Sequence, residues 1–333
     1  MDAEELELDY ELFPLMRAYK DGRIERLVGE VFVPPTTDPQ AEVASKDVTI
    51  DPQIGITARL FLPRDHSTTN SNTTNDSLST TTKKLPLVVY FHGGAFIVSS
   101  PFEPATHNYL SILIPEAHVV GVSVHYRRAP EHPIPTAYED SRVALRWIAF
   151  HREGSGPEEW LNQHVDFERV FLVGDSCGAN IIHNIALTPA DEDSSLDMKI
   201  HGLVLVHPFF WGSTAIGSEP TDPDVRVSID KVWPIVCPSS MPVPGQDDPW
   251  INPFVVGAPR LANLRCRKVL VVVAEMDALR ERGRLYYETL RNSGWDGAAE
   301  IEESEGGHSS HLINPTTEVA KKLIKTLAAF LHS

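Results

Sequence analysis

Short apolar runs alternate with amphipathic stretches along most of this chain, and that alternation constrains its fold more than any other feature. Runs such as PLVVYFH (86–92), VVGVSVHY (119–126), RVFLVGD (169–175), HGLVLVH (201–207) and KVLVVVAEMD (268–277) are rich in β-branched residues and nearly free of interior charge. Helical periodicity marks the stretches 136–152, 177–188, 280–293 and 316–331. A strand that is apolar on both faces needs cover on both faces. The pattern therefore predicts an α/β fold, a mostly parallel sheet with helices on both sides. Two earlier runs, DVTID (47–51) and ARLFLP (58–63), follow one another without a helix and predict an antiparallel edge, and AEIEES (299–304) predicts a last strand.

The rhythm breaks twice. Residues 66–82 (HSTTNSNTTNDSLSTTT) are polar and of low complexity, cannot bury apolar surface, and read as a mobile loop between two strands. Residues 211–262 are rich in Pro and Trp without a strong strand, and read as an insertion forming a cap over the working edge of the sheet. With no internal repeats, residues 1–333 are expected to form one domain.

Composition narrows the possible partners. Lys and Arg total 29 against 46 Asp and Glu, a net charge of −17, and no local basic cluster escapes that balance, so nucleic acid is excluded as a partner. No apolar run approaches the ~18–20 residues of a membrane span. The acidic start, MDAEELELDYELF, is unlike a secretory signal. Cys177, Cys237 and Cys266 are too few and too scattered for a disulfide framework or a zinc site, so a reduced, cytoplasmic compartment is expected. The 14 histidines are dispersed; His308 and His311, at i and i+3, are the nearest approach to a ligand pair, and no metal or other cofactor is expected.

The sharpest local signal is Gly174-Asp175-Ser176-Cys177-Gly178, after an apolar strand and before a helix. Flanking glycines permit a tight strand-to-helix turn that lifts the Ser176 hydroxyl out of the sheet and sets it at a helix N-terminus. A serine hydroxyl needs a base, itself oriented by an acid. Asp277 follows a strong strand, and His308 follows the last strand in Glu-Gly-Gly-His-Ser-Ser-His. In a parallel sheet all three then lie beyond the carboxyl ends of strands, in the chain order Ser, Asp, His. Glu275, placed within the strand, is an alternative acid and His311 an alternative base; Asp277 can also be read as a helix cap and His308 as a solvated loop residue. His92-Gly93-Gly94-Ala95-Phe96 follows PLVVYF, and its glycine N–H groups, with that of Cys177, can form an oxyanion hole. His92 itself reads as structural. Trp211, Trp250, Phe210 and Leu279 can line an acyl or alcohol pocket, and core packing of the cap accounts for them equally well.

HGGAF, YRRAPEHPIPTAYED (126–140), GDSCGAN (174–180), the stretch from Asp277 to Gly283 and GGHSSH together resemble the plant carboxylesterases, in the hormone-sensitive-lipase-like branch of the α/β-hydrolases. The likeness runs from about residue 8 to residue 331. It implies an α/β-hydrolase fold, nucleophile Ser176, acid Asp277, base His308, an oxyanion hole from Gly93, Gly94 and Cys177, no cofactor, and a lid built partly from residues 1–40. Asp175 matches the family's acidic position beside the nucleophile and is expected to organise that loop; Ala95 and Asp175 join the candidate substrate contacts. Two positions depart from the family: Cys177 stands where Ala or Ser is usual, and Ser-Ser follows His308 where a larger apolar residue is common. The expected activity is serine carboxylesterase action on small or medium uncharged esters or acylated metabolites. Some relatives act instead as lyases or cyclases, and known dehydratases replace the serine by threonine. The related gibberellin receptors lose the histidine; Ser176 and His308 are both present here.

Overall fold

The computed structural model describes residues 7–64, 84–188, 198–240 and 245–333; the polar segment 66–82 lies outside these residues. The chain begins with a small antiparallel sheet of β1 (Leu8–Leu12), β2 (Met16–Tyr19) and β3 (Ile24–Arg26). It continues through β4 (Val43–Asp51), β5 (Ile56–Pro63), β6 (Leu85–Phe91), α1 (Pro104–Glu116), β7 (Val120–His125), α2 (Thr136–Ala149) and α3 (Glu159–His164). Then come β8 (Val165–Asp175), α4 (Cys177–Leu187), β9 (Ile200–Val206), α5 (Pro223–Asp230) and α6 (Val232–Val236). The chain closes with β10 (Lys268–Ala274), α7 (Arg280–Asn292), β11 (Ala298–Ser304), α8 (Ser310–Ile313) and α9 (Glu318–His332).

The main sheet has eight strands in the order β11-β10-β9-β8-β6-β7-β5-β4. Its strands run parallel except at one end, where β5 is antiparallel to both β4 and β7, the edge expected from two strands joined without a helix. Period-2 alternation explains why the central strands are apolar throughout. Leu87, Val89 and Phe91 of β6 share a core with Leu145 and Ile148 of α2 and Ile181 of α4. Val88 and Tyr90 point the other way, sharing a second core with Tyr109 and Leu113 of α1 and with Leu327 and Phe330 of α9. Each face thus has its own helices. Among the described residues no helix is long and apolar enough to cross a membrane.

Strand order sets the site. β8 pairs with both β6 and β9, so the loops after β6 and β8 emerge side by side, with Phe91 opposite Gly174. Connections leave this point toward opposite ends of the sheet, which opens a crevice at the carboxyl edge of the strands.

The 211–262 stretch carries α5, α6 and short 3₁₀ turns in its described parts, with no strand. Buried charge fastens it to α7. Arg282 donates to the fully buried Glu219 at 2.7 Å, and Arg226 donates to the Gly212 carbonyl at 2.8 Å. The Trp211 ring lies 4.4 Å from the Arg226 guanidinium and 5.5 Å from that of Arg282, and its Nε1 donates to Asp230 at 2.6 Å. Removing one member of such a set would leave another charge buried without compensation, which is strongly destabilising.

Candidate active site

Ser176 sits at a tight strand-to-helix turn. Its φ of 53° and ψ of −118° put a non-glycine residue in a sparsely populated region, between the end of β8 and the first turn of α4. The chain is pinned there by the Ser176 N–H donating to Val206 and the Phe209 N–H donating to the Ser176 carbonyl, at 2.8 and 3.0 Å. Both flanking glycines are needed because backbone meets backbone. A Cβ on Gly174 would lie 2.3 Å from the Gly178 carbonyl carbon, and one on Gly178 would lie 1.9 Å from the Phe91 carbonyl oxygen. Because the first turn of α4 meets the end of β6 backbone to backbone, Gly178→Ala is expected to lower stability by about 3 kcal/mol and Tm by about 6 °C. Thermal unfolding followed by circular dichroism checks this, and an unchanged Tm would contradict the crowding.

Asp277 and His308 come from the loops after β10 and β11. These loops are joined by the Met276 N–H donating to the Gly306 carbonyl at 2.9 Å. His308 Nδ1 lies 2.7 Å from Asp277 Oδ2, and His308 Nε2 lies 2.9 Å from Ser176 Oγ. The other Asp277 oxygen accepts from the Leu279 N–H at 2.9 Å, so both are engaged. Burial works against both charged forms, but the mutual hydrogen bond and charge prevail: the Asp277 carboxyl is held below the usual carboxylate range and the His308 imidazole is raised. With Nδ1–H given to the carboxylate, the lone pair on Nε2 faces the hydroxyl.

The alternative acid and base lie elsewhere. β10 ends at Ala274, so Glu275 is past the strand rather than within it; it is exposed, and its N–H donates to Ser304 at 3.0 Å. His311 is buried in α8 with its ring against Tyr109 and His207, and burial drives its pKa well down.

The loop after β6 corrects one expectation. The Gly93 N–H donates to Asp175 Oδ1 at 3.0 Å, and a Cβ on Gly93 would fall 2.4 Å from Asp175 Oδ2. That donor is taken, so Gly93 supplies close approach in place of an oxyanion hydrogen bond. The N–H groups of Gly94 and Cys177 are engaged by no acceptor among the described residues. Asp175 also accepts from the Tyr90 hydroxyl at 2.5 Å, which ties the β6 loop to the Ser176 turn; burial still pushes its carboxyl up to about 6. His92 donates from Nδ1 to the Gly93 carbonyl at 2.8 Å and stacks on Tyr126, and burial pushes its pKa down to about 3. The Cys177 thiol is fully buried, accepts from the Phe96 N–H at 3.1 Å, and is pushed up by burial to about 12, so it is a packed neutral thiol at physiological pH.

A cavity of about 640 Å³ opens onto Ser176 and His308. Ala95, Asp175 and Leu279 are among the residues that line it; Trp211 and Trp250 are not. The Arg226 and Arg282 guanidinium groups lie against the Trp211 ring, while the partly exposed Trp250 ring packs on Tyr138 and its carbonyl accepts from Asn180. Walls that the sequence did not single out residue by residue come from three places, two of them within the segments expected to form lid and cap. Leu12, Phe13 and Leu15 form the β1–β2 turn, Ile229 and Val232 come from α5 and α6, and Leu312 and Ile313 from α8. Among the described residues that line it there is no Lys or Arg.

His207, Asp277 and His308 bring ligand atoms within 4.8 Å of one another. Asp277 and His308 are bonded to each other, and His207 Nδ1 accepts from the Ser309 N–H at 3.0 Å, so the group serves as a hydrogen-bond network more readily than as an ion site.

A family model described as the alpha/beta hydrolase fold matches residues 88–311. The chain is 44% identical to "Probable carboxylesterase 13" of Arabidopsis thaliana, over 99% of each chain. It is also 44% identical to the 2-hydroxyisoflavanone dehydratase of Glycine max, over 98% of this chain and 99% of that one. Among solved structures it is similar to an esterase of Pyrobaculum calidifontis, with 28% identity, a TM-score of 0.64, and coverage of 86% of this chain and 84% of that one.

Proposed function

Since the chain belongs to the α/β-hydrolase family, with plant carboxylesterases and 2-hydroxyisoflavanone dehydratases among its relatives, we propose that it is a serine carboxylesterase acting on small to medium uncharged esters or acylated metabolites. The observation that carries this reading is the run of two hydrogen bonds, Ser176 to His308 to Asp277, opening onto an apolar cavity. Ser176 attacks the ester carbonyl while His308 Nε2 takes its proton. Asp277 holds the tautomer and stabilises the imidazolium that forms. The N–H groups of Gly94 and Cys177 receive the oxyanion; losing one such donor typically costs about 3–4 kcal/mol of transition-state stabilisation. His308 then protonates the leaving alcohol, and water releases the acid by the same steps. The β1–β2 turn and the α5–α6 segment act as the lid and cap over the pocket. None of these steps calls on a cofactor. Three free cysteines accord with a cytoplasmic location.

Substrate charge and product identity test the proposal. A carboxylate entering a cavity whose described walls carry no Lys or Arg is desolvated without a partner, so kcat/KM for a neutral butyrate ester is expected to exceed that for the matching hemisuccinate by about 10- to 100-fold. Incubation with acylated metabolites, followed by mass analysis, should release an acid and an alcohol. Loss of water or acetate without hydrolysis would favour the elimination chemistry suggested by the dehydratase relative instead.

A further inference from the structure

His207 follows β9 and takes no part in the relay, yet its surroundings single it out. It is 1% exposed, and its ring lies 5.7 Å from that of His308. Its Nδ1 accepts from the Ser309 N–H at 3.0 Å. Both residues joined by this bond hold left-handed backbone, with φ of 46° at His207 and 54° at Ser309. Non-glycine residues are disfavoured in such regions and persist there only where the surroundings over-determine them.

The position of Ser309 gives that strain a purpose. His308 lies between Gly307, whose carbonyl accepts from the Ser310 N–H at 3.3 Å, and Ser309, so the left-handed backbone at Ser309 is part of the turn that sets its direction. We propose that His207 is a positioning residue: its Nδ1 captures the Ser309 N–H and holds the left-handed turn that aims His308 Nε2 at Ser176. The bond needs a lone pair on Nδ1, hence the neutral tautomer with its proton on Nε2. Burial, then the neighbouring His308, pushes the His207 pKa down to about 4 against the opposing pull of Asp277, in keeping with a neutral ring. Nitrogen at this position therefore acts as an acceptor, which ring packing alone would not require.

This inference rests on reading His308 as the base, and the test separates the two. Leucine and asparagine occupy nearly the same space, but only asparagine places an acceptor where Nδ1 was. With p-nitrophenyl butyrate, kcat of His207→Leu is expected to fall about 10- to 100-fold with KM within about threefold, whereas His207→Asn stays within about fivefold of the parent. Equal losses in the two variants would assign His207 to packing, and no loss in either would remove it from the site; both overturn the proposal. The unsubstituted protein supplies a second test, because imidazole nitrogen NMR at neutral pH should report His207 unprotonated at Nδ1 and protonated at Nε2. A proton on Nδ1 overturns the proposal even if neither variant folds. Equal ester turnover by the parent and by Ser176→Ala would reject the esterase reading itself, and leaves the NMR result to decide the hydrogen bond.

Discussion

Replacing Ser176 by alanine lowers kcat for p-nitrophenyl butyrate by about 10⁴- to 10⁶-fold, with thermal stability close to that of the parent. The size of the loss follows from the lack of a substitute. Ser99, Ser228 and Ser309 also line the cavity, but Ser176 alone among them is hydrogen-bonded to His308. Cys177 has a buried neutral thiol that accepts from a backbone N–H, and it is no better placed. Alanine fits the same backbone as serine, and Oγ donates only to His308, so the turn should survive. Steady-state kinetics on variant and parent, with circular dichroism as the control for folding, measure the effect. Undiminished turnover by the variant would move the nucleophile elsewhere.

Asp277→Asn is expected to reduce kcat by about 10⁴-fold, by reversing one proton. An asparagine amide facing His308 Nδ1 donates where the carboxylate accepts, so the imidazole proton moves to Nε2 and Ser176 loses its acceptor. A second signature separates this from simple damage. In the parent, burial lowers the His308 pKa while the Asp277 hydrogen bond and charge raise it, and the raising causes win. Activity needs neutral His308, so the acid limb of kcat/KM lies above the ordinary histidine value of 6.5. Without Asp277 the two largest causes that raise the His308 pKa are gone, and whatever activity persists should have its acid limb at lower pH. An unmoved limb, or a larger loss from Glu275→Gln than from Asp277→Asn, would place the orienting acid outside this pair.

The parts of this account legible in the sequence are those in which local pattern and tertiary role coincide. A parallel strand buried on both faces has to read as an apolar run, and β6, β8, β9 and β10 do. The glycines at 174 and 178 announce a backbone crossing that nothing larger could occupy. Chain order and strand ends bring Ser176, Asp277 and His308 to one rim, where His308 stands 2.9 Å from Ser176 and 2.7 Å from Asp277. What escaped detection depends on partners distant in the chain. Whether the Gly93 N–H is free is decided by Asp175, 82 residues later. For Trp211 composition leaves pocket wall and cap core equally open, and the choice is made by Arg226 and Arg282, which pack against its ring. Leu12 and Phe13 belong to a turn whose docking over the cavity leaves no periodic trace. The histidine at the end of HGLVLVH stands at a strand end, as the relay residues do, and that position was its one signal.

The most direct measurement is the covalent address of an active-site phosphylating reagent. After treatment with diisopropyl fluorophosphate and proteolysis, mass spectrometry should find a single adduct, on the Ser176 hydroxyl, with activity lost in proportion to labelling and no label in Ser176→Ala. An adduct on Cys177 or on another serine, or equal labelling of the alanine variant, would contradict the claim that Ser176, His308 and Asp277 act as one unit.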